Sequence, residues 1–78
     1  MEINVYTRSS CPLCDEAKDI LNQHGLRYRE RDIALDARLT TQFDTCVPVV
    51  EIDGKVRFRG KVDPILLQRL VDHAKRGG

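Results

Sequence analysis

From its second residue the chain alternates polar and apolar side chains, Glu2-Ile3-Asn4-Val5-Tyr6-Thr7, with Ile3 and Val5 on one parity. A period of two predicts a strand. Thr7 to Ser10 is a polar loop, and then the period changes. Leu13, Ala17, Ile20 and Leu21 fall at i, i+4, i+7 and i+8, one face of a helix. Pro12 suits the first helical position, because its ring fixes φ and its missing N–H costs nothing there. Asp15 and Glu16 lie in the first turn, where the helix dipole favours negative charge. Gly25, after His24, takes the C′ position and ends the helix.

Between Leu26 and Ile33, Leu26 and Tyr28 share one parity while Arg27, Arg29 and Arg31 share the other. This predicts an edge strand, since long basic side chains on one face protect an exposed edge. Strand, helix and strand within about thirty residues form a βαβ unit, so these two strands should be parallel. Asp36 reads as the N-cap of a short helix from Ala37 to about Asp44, with Leu39 and Phe43 four apart. Val47 to Ile52 is a strand opened by a proline, Asp53-Gly54 is a two-residue hairpin turn, and Lys55 to Arg59 returns from it. After the connector Gly60-Lys61-Val62, Asp63-Pro64 supplies an N-cap and a first-turn proline. Leu66, Leu67, Leu70, Val71 and Ala74 then mark the buried face of a last helix, which Gly77-Gly78 ends. The order β-α-β-α-β-β-α predicts an α/β domain. Its four-stranded mixed sheet has one βαβ half, one hairpin half and helices on both faces. No repeat, linker or low-complexity segment divides residues 1–78, and one domain is expected.

Composition narrows the partners. Thirteen basic residues face twelve acidic ones, for a formal charge of +1, which gives no reason to expect nucleic acid or an anionic membrane. Two tyrosines and two phenylalanines are too few for a base-stacking surface. Met1 leads into the first strand with no signal region, and no apolar run approaches the roughly 18 residues of a membrane helix. A cytoplasmic, reducing location is expected. Three cysteines are odd in number and too few for a disulfide scaffold. In that setting a close cysteine pair points to redox chemistry or metal binding.

That pair lies in Arg8-Ser9-Ser10-Cys11-Pro12-Leu13-Cys14. Cys11 stands where the first strand hands over to the first helix. Unpaired N–H groups of the first helical turn would face its sulfur and stabilise negative charge on it, and the thiolate is the reactive form. A structural zinc site needs four ligands, which three cysteines do not supply, and His24 and His73 are expected at the surface. Pro48 removes a backbone donor where a strand begins, a tolerable place for that loss. Locally it could be cis or trans, because X–Pro bonds alone make the cis form cheap.

Cys-x-x-Cys after the first strand, Val47-Pro48 before the third and a final helix after a hairpin together resemble the thioredoxin fold, and at this length its glutaredoxin-like branch. The resemblance spans essentially the whole chain. It implies that Cys11 is the nucleophile and Cys14 the resolving thiol of a dithiol–disulfide oxidoreductase acting on protein or glutathione mixed disulfides. It implies a cis Pro48, with the Val47 backbone pairing with the incoming substrate strand. It also implies a substrate-contacting set of Arg8, Pro12, Val47, Pro48 and Asp63, with Arg8 adding positive charge near Cys11. No bound cofactor and no metal are expected. The electron donor would be glutathione or a flavoprotein of the thioredoxin-reductase type, and the protein would act as a monomer.

Three positions depart from the family pattern. Leu13 stands where a tyrosine is common, Cys46 where a threonine commonly precedes Val-Pro, and Gly60-Lys61-Val62-Asp63 where Gly-Gly-x-Asp is usual. Asp63 and the N–H groups after it could receive the γ-glutamyl end of glutathione, although Pro64 removes one donor. Cys46 is a small buried residue, since free cysteine packs like a hydrophobe, or a third redox thiol beside the pair, or a third thiolate of a metal site with Cys11 and Cys14. Two other classes compete. Small ferredoxin-like metallochaperones also place Cys-x-x-Cys after a first strand and bind copper through two thiolates, but run β-α-β-β-α-β. A redox-regulated interaction module is the other.

Overall fold

Each local signal becomes an element in the computed structural model, which describes residues 1–43 and 47–76. β1 (Ile3–Thr7) leads into α1 (Pro12–Gln23), β2 (Arg29–Asp32), a 3-10 turn (Ile33–Leu35) and α2 (Ala37–Phe43). β3 (Val49–Ile52), β4 (Lys55–Arg59) and α3 (Pro64–Arg76) follow. The punctuation has the expected causes. Gly25 has φ 67° after α1, in the left-handed region that glycine enters freely. Asp53 and Gly54 both have positive φ, 50° and 83°, as a type I′ hairpin requires. The Asp36 carboxylate accepts the Arg38 N–H at 2.8 Å and caps α2.

The strand order is β2-β1-β3-β4. β1 and β2 are parallel, with Asn4 opposite Arg29, and β1 and β3 are antiparallel, with Val5 opposite Val50. β3 and β4 form the hairpin, with a register shift between Val50 and Glu51. This is the mixed four-stranded sheet that the pattern predicts, in a thioredoxin-like fold. Its element order differs from that of the ferredoxin-like carriers. One face of the sheet packs Ile3, Val5, Val50, Ile52 and Phe58 against Ala17 and Leu21 of α1 and Leu67 and Val71 of α3. The other face packs Tyr6 and Val49 against Ile33 and Phe43, with the Tyr6 and Phe43 rings 4.9 Å apart. Alternate residues of β1 and β3 thus serve different layers, and helices cover both faces.

Several expectations need correction. β2 is four residues, not the eight from Leu26 to Ile33. At its start, the Leu26 N–H bonds back to the Leu21 carbonyl at 3.1 Å, so this residue completes the end of α1. At its far end, the Asp32 carboxylate accepts the Ala34 N–H at 2.9 Å and turns the chain into the 3-10 segment, burying Ile33. β3 starts at Val49 rather than Val47. Leu13 does not share the buried face of α1. Cys14, Ala17 and Leu21 do, at i, i+3 and i+7, and Leu13 is 43% exposed. On α3, Leu67 and Val71 are buried, Leu66 is 43% exposed and Ala74 is exposed. Val62, read as connector, is buried with the α1–α3 layer.

Candidate active site

The register gathers the chemistry at one end of the sheet. β1 ends at Thr7, opposite Asp32 at the end of β2, and Tyr6 pairs with Val49 at the start of β3. Val49 in turn pairs with Arg59 at the end of β4. The Arg8–Cys11 loop, the 3-10 turn, Val47-Pro48 and the Gly60–Asp63 connector therefore all meet the sheet at the same end of its strands. The Gly60 N–H donates to the Pro48 carbonyl at 2.7 Å and ties two of these segments together.

Cys11 is the N-cap of α1, with φ −114° and ψ 102°. The preceding Ser10 sits in the left-handed region at φ 57°, costing about 1 kcal/mol for a residue with a Cβ. This bend delivers Cys11 to the helix end in an extended conformation. Its Sγ then takes the place of the usual capping oxygen and accepts the Cys14 N–H at 3.2 Å. The Cys11 carbonyl accepts the N–H groups of Cys14 and Asp15 at 3.1 and 3.2 Å. Pro12, next in the chain, has no N–H to compete for the sulfur. A donor is therefore aimed at the sulfur along the axis on which the helix dipole also favours negative charge.

Cys14 differs in every respect. Both cysteines are free thiols, but Cys11 is partly exposed while Cys14 is 2% exposed. Burial pushes the Cys14 thiol up to about 11, helped by its hydrogen bond with Cys11 and by the charge at that sulfur. A backbone hydrogen bond from Arg8 and the positive charge of Lys18 pull the other way. The sign for stability follows. The folded state holds this proton more tightly than the unfolded chain, so the contribution is full below the unfolded value of about 9 and is lost as pH rises through about 11. The reduced protein is expected to lose stability over this interval in urea titrations, and Cys14→Ser is expected to flatten that part of the slope.

An open cleft of about 450 Å³ adjoins both sulfurs. The Thr7–Cys11 loop walls one side, and Glu30, Asp32 and Leu35 wall the other. Asp15 and Lys18 reach in from α1. The Lys18 Nζ lies 2.9 Å from Glu30 Oε2 and 3.5 Å from Asp15 Oδ1. The same Glu30 oxygen accepts the Thr7 hydroxyl at 3.1 Å. Its bond with Lys18 holds the Glu30 carboxyl below its ordinary range and Lys18 above its own. Sequence reasoning missed this cluster, although two signals were present. Lys18 stands one helical turn after Cys14, and Glu30 puts a charge on the apolar parity of Leu26 and Tyr28.

The remaining site residues divide. The Val47–Pro48 peptide is cis, and Pro48 is fully buried beside the first residue of β3. Arg8, Pro12 and Asp63 are exposed, and Arg8 lines the cleft. Among the described residues, Val47, Pro48 and Asp63 are not part of the cleft lining. Cys46 lies outside the described residues. Asp63 has a local task. Its Oδ1 accepts the N–H groups of Ile65 and Leu66 at 2.9 and 3.3 Å, so the donors at the start of α3 are already engaged by their own cap. Asp63→Ala is expected to cost about 1 kcal/mol, read as a lower urea midpoint with an unchanged slope.

Comparison with known proteins agrees with this geometry. The family model described as "Glutaredoxin-like domain (DUF836)" matches residues 2–73. The crystal structure of the thioredoxin-like protein BC3987 is 35% identical with a TM-score of 0.69, covering 88% of this chain and 99% of that one. Protein XcR50 from X. campestris is 27% identical with a TM-score of 0.79, covering 90% of this chain and 95% of that one. Hybrid peroxiredoxin hyPrx5 of Haemophilus influenzae is 35% identical over 57 residues, which are 68% of this chain and 24% of that protein. The chain thus spans about a quarter of that relative's length. A family match from the first strand into the last helix, on a thioredoxin-like sheet with Cys11 capping α1, makes this chain a member of the glutaredoxin-like domain family.

Proposed function

We propose that the protein is a dithiol–disulfide oxidoreductase in which Cys11 attacks a substrate disulfide and Cys14 resolves the resulting mixed disulfide. The observation that carries this reading is the asymmetry of the pair. One sulfur is accessible and receives a helix N–H at 3.2 Å, and the other is buried and keeps its proton. In the first step the Cys11 sulfur bonds to one sulfur of the substrate, and the other leaves with the electron pair and takes up a proton. In the second step Cys14 gives up its proton and bonds to Cys11 Sγ. The bond from Cys11 to the substrate breaks, and the second substrate sulfur leaves as a thiol. Two protein thiols become one disulfide while one substrate disulfide becomes two thiols. The cis Val47–Pro48 segment and Arg8 are the proposed contacts for the substrate backbone and for anionic groups beside its disulfide.

Glutathione and a flavoprotein disulfide reductase are the two candidate donors for restoring the dithiol. Engagement of the first α3 donors by Asp63 favours the flavoprotein or another dithiol protein, because it leaves less for a glutathione carboxylate to bind. Among protein substrates, a peroxiredoxin disulfide is a reasoned first choice, given the similarity to a hybrid peroxiredoxin. The test is turnover of a small mixed disulfide and of an oxidised peroxiredoxin, with glutathione and separately with the flavoprotein. Turnover with either donor, passing through a form with Cys11 and Cys14 joined, is expected. No turnover with both donors would overturn the reading.

A further inference from the structure

We propose that Lys18, held in place by Glu30 and Thr7, stabilises the Cys14 thiolate as it forms in the resolving step. The inference rests on the exchange reading above and gives its second half an electrostatic partner.

Lys18 lies four residues after Cys14, so both project from the same side of α1 and line the same cleft as Cys11. Lysine side chains normally reach into water, yet this one is only 25% exposed. Its ammonium is fixed from two elements. Asp15 touches it from α1 at 3.5 Å, a neighbour pair that alone is worth little. Glu30 holds it from β2 at 2.9 Å. Glu30 is itself anchored by the hydroxyl of Thr7, a 4% exposed residue at the end of β1. Helix, edge strand and central strand thus determine where this one positive charge stands.

Resolution needs such a charge. Cys14 must become an anion in a buried place before it can attack, and burial opposes that. Part of the compensation comes from the Arg8 backbone, and the carboxylates facing the cleft supply none. Asp15 on α1, Glu30 on β2 and Asp32 at the head of the 3-10 turn are carboxylates, which repel a thiolate. From the β1–α1 loop, Arg8 contributes a backbone hydrogen bond to the Cys14 sulfur. Lys18 offsets the repulsion of Glu30 through their ion pair, and its charge acts on the Cys14 sulfur in the direction that favours the thiolate. In the balanced step, the Cys14 proton leaves to cleft water, the Cys14–Cys11 bond forms, and the substrate sulfur departs with the electron pair and is protonated. Lys18 bonds to none of the reacting atoms and acts on the proton equilibrium of Cys14.

The experiment separates the two halves of exchange. Reduced protein, with Cys46→Ser so that only two thiols react, is mixed with a symmetric chromogenic aromatic disulfide. Attack by Cys11 releases one coloured thiolate in a concentration-dependent phase. Resolution by Cys14 releases the second in a concentration-independent phase. In Lys18→Met and Lys18→Gln the second phase is expected to slow about tenfold at neutral pH, with its pH profile displaced about one unit upward. Rates should converge at high pH, where Cys14 ionises unaided. Lys18→Arg should restore most of the rate. The first phase should change less than about threefold in all variants, as distance from Cys11 attenuates the charge. Equal slowing of both phases, or a second phase with unchanged rate and pH profile, would overturn the proposal and leave the exchange reading intact. Absence of both phases in the Cys46→Ser parent and in wild type would overturn both.

Discussion

Replacing Cys11 by serine is expected to abolish disulfide reduction while leaving the fold at least as stable. A serine hydroxyl cannot form the mixed disulfide, so turnover should fall by more than about 10³-fold. The accompanying structural change is unusually small. Cys11 caps α1 through its sulfur, and serine is among the preferred N-cap residues, with an oxygen suited to the same N–H. The melting temperature should therefore hold or rise slightly, and lost activity then reports chemistry rather than unfolding. Cys14→Ser makes the complementary variant. It should still attack, and it should accumulate the mixed disulfide, visible by mass spectrometry as an adduct on Cys11. Wild-type turnover in Cys11→Ser would remove Cys11 from the nucleophile's role.

The second large effect falls on the support beneath the site. Leu21 is fully buried where α1 meets the sheet, two turns beyond Cys14 on the same face. Leu21→Ala should cost about 3 kcal/mol, combining lost transfer free energy with a cavity. A domain of 78 residues holds roughly 4–12 kcal/mol in all, so the melting temperature should drop by about 12–24 °C. Leu13→Ala on the exposed side of the same helix should stay within about 0.5 kcal/mol. The pair of urea titrations thus checks which side of α1 faces the sheet. A small loss at Leu21 with a large one at Leu13 would reverse that assignment.

The elements most legible in the sequence were those with local punctuation. Pro12, Gly25, Asp53-Gly54 and Asp63-Pro64 act through their own dihedral angles and neighbouring N–H groups, so their meaning survives without tertiary context. The element order followed from them and from the periodicity between them, and the thioredoxin-like fold from the resemblance that the cysteine pair, Val47-Pro48 and the final helix carry. The ends of β2 did not, because Leu26 is claimed by the carbonyl of Leu21 and Ile33 by the core under the 3-10 turn. Periodicity likewise could not say which apolar residue of α1 faces inward. Cys14 took the buried position and turned Leu13 outward. In the site, the cysteine pair and Val47-Pro48 could be found from motif and order. The Lys18–Glu30–Thr7 cluster could not be assembled from its local signals, because its members lie on three elements, which the packing of α1 and the parallel pairing of β1 with β2 bring together.

That pairing also sets an order of events during synthesis. β1 leaves the ribosome first, yet it is flanked on both sides in the finished sheet. Its parallel neighbour β2 arrives about 25 residues later and its antiparallel neighbour β3 about 45 residues later, so the loop closed by β3 is the entropically expensive one. Until β3 docks, Val49 and Val50 are missing from both layers of the core, and Pro48 is missing from the end where Cys11 emerges. A nascent chain thus carries two unorganised thiols before it carries the asymmetric pair. Selective protection of Cys14 from alkylation, followed through refolding, would time the docking of the hairpin half.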